Sequence, residues 1–171
     1  MISNEILQKF TESDIEIVIS IYAKSEVSKA RHSAAAILLQ LLRANDPRLP
    51  TESRTVIAKQ AGLNLRAECP DTELSGKSYL LLEIADPAAA EEFILSVPPK
   101  TYKKGQLISY ITALKNSSSD RKVAKLKELQ QAGGKAAHFA TKALEDLGRS
   151  LSTRCKLSSL TDQGSIQPNN I

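Results

Sequence analysis

The side chains with reactive potential in this 171-residue chain are few and far apart. His32 and His138 have no partner at metal-ligand spacing, and Cys69 and Cys155 form no Cys-x-x-Cys pair, so neither a metal site nor a cofactor is expected. Glu91-Glu92 and Glu145-Asp146 are carboxylate pairs of the kind used in acid–base catalysis. Both fall on predicted helices beside salt-bridge partners, which accounts for them without catalysis. Gly76-Lys77-Ser78 matches the end of a phosphate-binding loop, but Asp71 stands where that loop needs its first glycine, and an acid there repels phosphate. No catalytic residue is assigned, and a non-enzymatic role is expected.

What remains is positive charge at helical spacing. Residues 61–99 carry a net −5 and residues 100–160 a net +9, inside a chain whose total is only +4. Charge segregated in this way points to a polyanion or an acidic protein as the partner of the basic part. The candidate nucleic-acid contacts are Lys29, His32 and Arg43 on one helix and Lys100, Lys103 and Lys104 in a loop. Toward the end come Arg121, Lys122 and Lys125, then Lys135, His138, Lys142, Arg149 and Arg154. With three Phe, four Tyr and no Trp, stacking platforms are scarce. Contacts are therefore expected to go to the sugar-phosphate backbone, with little sequence preference and strong salt dependence.

The elements that must position these cations read as helices. The expected fold is all-α, a bundle of about five to seven helices. Ser13 caps a first long helix, although the Ile-Glu-Ile-Val-Ile alternation also fits a strand. Ser25 to Ala44 is a helix with a wide apolar face, ended by Asn45-Asp46-Pro47. A helix from Thr51 or Ser53 ends at Ala61, with Gly62 as the residue after its cap. Residues 64–78 are polar, acidic and interrupted by Pro70 and Gly76, which predicts an exposed loop. Residues 79–85 fit either a short strand pair or a helical turn. Asp86-Pro87 opens another helix, and one follows over Tyr102–Lys115. Two amphipathic basic helices within 119–156, broken at Gly133-Gly134, complete a helical domain over 1–157. Their apolar seams are Val123, Leu126 and Leu129, then Ala136, Ala140, Ala143, Leu144, Leu147 and Leu151. Residues 158–171 form a polar tail expected to be flexible.

No apolar run reaches the roughly 18 residues of a membrane span, and the N-terminus has no signal-peptide pattern. With two distant cysteines, a cytoplasmic protein is expected. In size, helical content, the Arg31-His32-Ser33-Ala34-Ala35-Ala36 segment on an otherwise apolar helix, and the basic helices near the end, residues 13–156 resemble the helical small subunits of CRISPR-Cas (Cascade-like) effector complexes. That resemblance implies a ribonucleoprotein subunit packed beside other subunits, copies of itself included, that holds a target or displaced strand of DNA or RNA by its phosphates. The acidic 61–99 segment departs from a uniformly basic surface and would meet the basic end of a neighbouring copy. Two other roles fit the sequence: a helix-turn-helix regulator using residues 51–66, and an adaptor for an acidic protein.

Overall fold

A computed structural model describes residues 3–67, 70–96 and 103–161, with side chains as far as Arg149. Among these residues are nine helices and no strand: α1 Asn4–Gln8, α2 Glu12–Lys24, α3 Ser28–Arg43, α4 Thr51–Arg66, α5 Thr72–Ala85, α6 Pro87–Ser96, α7 Lys104–Asn116, α8 Lys122–Gln131 and α9 Gly134–Thr161. The fold is the all-α bundle expected, with more helices than the sequence suggested. No helix among the described residues is long and apolar enough to cross a membrane.

The chain departs from expectation most at its centre. Residues 72–85, divided in prospect between an exposed loop and a strand or turn, form one helix, α5, which packs on α3, α4, α6 and α7. Ser75, Gly76 and Ser78, which suggested a loop, are buried. Ser75 donates to the Asp71 carbonyl and accepts from Ser109 of α7, while Ser78 pairs with the Tyr22 hydroxyl at 3.0 Å. A Cβ on Gly76 would stand 2.9 Å from Asn116 Nδ2 of α7, so glycine permits a close helix–helix approach here. Small polar residues resemble a loop in composition. In this protein their hydroxyls are satisfied by neighbouring helices, which removes the usual cost of burying them.

Other boundaries shift for local reasons. Thr11 rather than Ser13 caps α2, through a reciprocal pair in which Thr11 N–H donates to Asp14 and Asp14 N–H to Thr11 Oγ1. Gly62 does not end α4 but lies buried inside it. In the turn before α8, Ser119 Oγ accepts from Arg121 N–H. Leu126 and Leu129 are buried as expected, but Val123 is exposed, as is Val27 at the head of α3. The tail predicted from residue 158 begins inside α9, and residues 162–171 lie outside the described residues.

The few aromatic side chains are mostly core. Tyr79, Phe93 and Tyr110 are fully buried with ring centroids 6.3 and 5.8 Å apart, and the Tyr110 hydroxyl donates to the Ile94 carbonyl at 2.7 Å. The Arg66 guanidinium lies 5.4 Å over the Phe93 ring. At the other end, Arg48 binds Asp46 through two nitrogens, at 2.9 and 2.6 Å, and donates to the carbonyls of Leu7 and Phe10. It thereby ties the loop after α3 to the first helices.

Asp71 fastens the start of α5 to α3. Its Oδ1 accepts from the N–H groups of Glu73 and Leu74, and its Oδ2 accepts from Ser28 Oγ at 2.6 Å and lies 3.0 Å from His32 Nε2. Burial works to raise its pKa, but the hydrogen bonds from Ser28, Leu74 and His32 outweigh it and hold the carboxyl down at about 2. A depressed carboxyl stabilises the fold above its unfolded pKa and loses that contribution as pH falls through the folded value. Asp71→Ala should lower the unfolding free energy by about 1–2 kcal/mol at neutral pH. Asp71→Asn, still a good cap, should cost less but abolish the loss of stability between about pH 4 and pH 2. Urea titrations across that range measure both effects. Gly133 and Gly134, at φ 78° and 66°, make the reversal between α8 and α9 with nothing within 4 Å of an added Cβ. Gly133→Ala should therefore cost about 1–2 kcal/mol from backbone conformation alone, read as a fall in Tm without a change in binding.

Candidate nucleic-acid interface

The cations named from the sequence do not form one surface. Lys29 and Arg43 are exposed near opposite ends of α3. His32, between them in the sequence, is instead drawn into the α3–α5 contact by Asp71, with Glu73 Oε1 at 3.7 Å from its Nδ1. Its side chain is only 12% exposed, so it is a partner of carboxylates rather than a member of a basic row. On α8 and before it, Arg121 lies 3.8 Å from Glu91 of α6, Lys122 Nζ donates to the Ser117 carbonyl at 2.7 Å, and Lys125 pairs with Glu128 at 2.9 Å. Arg149 lies 3.4 Å from Glu145 one turn earlier on α9. Lys100 and the Arg154 side chain lie outside the described residues.

The structure does gather a subset. α7 and α9 run side by side in the same direction. Lys104 and the Gly134–Lys135 start of α9 line one hollow, and eleven residues further along both helices Lys115 Nζ meets Asp146 Oδ2 at 3.2 Å. Parallel neighbours need a return path between them. α8 supplies it: ten residues span about 15 Å at 1.5 Å per residue, close to the run from Lys104 to Lys115. The paired glycines then turn the chain into α9.

Between the two helices lies a groove in two parts that share His138 and Phe139. The open end is bordered by Lys104, Gly134 and Lys135. The deeper part, about 300 Å³, is lined by Ile108, Ile111, Thr112, Lys115, Lys142, Ala143 and Asp146. Four lysines thus border the groove against one carboxylate, Asp146, already held by Lys115. Lys103 precedes α7, and neither α7 nor α9 has an acidic residue in its first turn. Two helix N-termini and their lysines therefore superpose positive potential at one end, an arrangement suited to anionic groups.

Lys104, Lys135, His138 and Lys142 are the predicted residues that the fold brings together. Sequence inspection missed Lys115, Phe139 and Asp146 as groove residues, because only the parallel pairing of α7 with α9 places them there. One signal was available, the absence of acids from both first turns.

Residues 51–66, the proposed helix-turn-helix unit, form the single uninterrupted helix α4. The next helix, α5, is packed into the core and is not presented for a DNA groove. A second groove, about 390 Å³, runs over Ala58, Gly62, Ala85 and Ala89 between α4, α5 and α6. Among the described residues, no group of three or more His, Cys, Asp or Glu side chains is placed to hold a metal ion.

If Lys115 and Asp146 form only a half-exposed surface pair, replacing both by alanine should change stability by less than about 1 kcal/mol. A double-mutant cycle in urea measures the coupling. No known protein family, curated protein or solved structure matches this chain.

Proposed function

We propose that the chain is a non-catalytic, nucleic-acid-binding helical subunit of a ribonucleoprotein that holds a strand by its phosphates along the α7/α9 groove. The observation that carries this is the convergence of Lys104, Lys115, Lys135 and Lys142, from two helices, on one groove with a single carboxylate. Cations scattered over a surface merely solvate it, whereas cations aligned on both sides of a groove set up a field that attracts a chain of phosphates. Lys135 and Lys142 are seven residues apart, two helical turns or about 10 Å along one face of α9. In the setting that the CRISPR small-subunit resemblance implies, the strand is a target or displaced one and neighbouring subunits extend the track.

The test is binding of labelled random-sequence single-stranded RNA, single-stranded DNA and duplex DNA from about 50 to 300 mM salt. Log affinity should fall linearly with log salt, with a slope of about −2 to −3 for three or four phosphates on a single strand. The charge reversals Lys104→Glu, Lys135→Glu and Lys142→Glu together should abolish binding while leaving helicity unchanged, because all three side chains are exposed. Asp146→Asn, which removes the groove's carboxylate and releases Lys115, should tighten binding by about threefold at low salt and by little at 300 mM. Absence of binding to every nucleic acid at the lowest salt would overturn the proposal and leave an acidic protein as the partner of these lysines.

A further inference from the structure

The lysines account for a backbone contact, but they do not account for the apolar side chains in the lining of the groove. Ile108 and Ile111 line it together with Phe139, a half-buried ring that packs on the core and also borders both parts of the groove. His138 is exposed beside it, with ring centroids 5.5 Å apart and planes inclined at 68°. The remaining aromatic rings around α5 are buried and fully engaged with one another, so this pair is placed differently from them. A surface built only to neutralise phosphates has no need of an apolar recess with an aromatic wall.

We propose that the recess takes one unstacked nucleobase of a single-stranded nucleic acid, against Phe139 and flanked by His138, while Lys104, Lys135 and Lys142 hold the adjoining phosphates. This rests on the nucleic-acid function proposed above and adds a substrate class to it: single strand over duplex. At about 300 Å³ the recess lies at the lower end of the roughly 300–1,000 Å³ typical of small-molecule sites, a size for one planar ring system. A paired base inside a duplex cannot enter it without leaving its stack. Base–aromatic stacking tolerates any base, while Thr112, His138 and Asp146 at the lining offer hydrogen-bonding groups to a base edge.

The experiment compares single strands of equal length and charge, intact or carrying an abasic position at the centre, with the corresponding duplex, in DNA and in RNA. Fluorescence anisotropy at 100 mM salt reads the affinities of the unaltered chain. A 2-aminopurine placed in the strand reports stacking directly by quenching. The expected result is a roughly tenfold preference for the intact single strand over both the abasic strand and the duplex, with 2-aminopurine quenched on binding. Phe139→Leu should bring the intact strand down to the abasic level with an unchanged salt slope. Because Phe139 also packs on the core, His138→Ala provides a variant at an exposed position, expected to lose a smaller part of the preference. Equal affinity for intact and abasic strands, or a duplex bound as tightly as a single strand, would overturn the base-binding site while leaving salt-dependent backbone binding standing. Loss of all binding, by contrast, would remove the underlying function as well.

Discussion

The approach of α5 to α7 is the constraint on which the rest of the molecule depends. Gly76 removes the side chain that would meet Asn116, and Ser75 and Ser109 face one another across the contact with their hydroxyls paired. α5 is then surrounded by α3, α4, α6 and α7, and the position of α7 fixes where α9 must lie. Larger residues at the buried Ser75 and Ser109 would separate the helices and move the wall of the groove, although neither touches it. The core thus sets the geometry of a surface feature through the thickness of two helices.

The groove itself is a product of topology more than of local sequence. α7 and α9 can be parallel neighbours only because α8 carries the chain back, and α8 has the length that this return requires. Its cations, which look in sequence like part of a binding face, serve that return: Lys122 holds the carbonyl of Ser117 and Arg121 leans toward Glu91. The cations that border the groove are those at the ends and facing sides of the helices that α8 connects. Similar lysine spacing in the sequence therefore conceals two different duties, one of holding the chain and one of presenting charge.

Much of this was legible beforehand, and the failures share a cause. The helical class, the Asp86-Pro87 start, the reversal at Gly133-Gly134 and the apolar seam of α9 from Ala136 to Leu147 follow from periodicity and capping, which act within a few residues; the Leu151 side chain lies outside the described residues. Residues 64–78 were misjudged because burial of Ser75, Gly76 and Ser78 depends on partners more than thirty residues away. His32 was placed in a basic row for the same reason, since its partner Asp71 lies on another helix. In the groove, Lys135, His138 and Lys142 were visible as one face of a helix. The role of Phe139 was not, because whether an edge residue lines a recess depends on the neighbouring helix.

The parallel arrangement of α7 and α9 has an electrostatic cost. Two helix N-termini of the same sign, with Lys103, Lys104 and Lys135 beside them and no acid in either first turn, repel one another in the free protein. The apolar seam of α9 packs against the core behind the groove and holds the two helices together. On the function proposed above, an anion bound at this end would offset that repulsion, and binding would then raise stability. Ordinary salt screens part of the same repulsion.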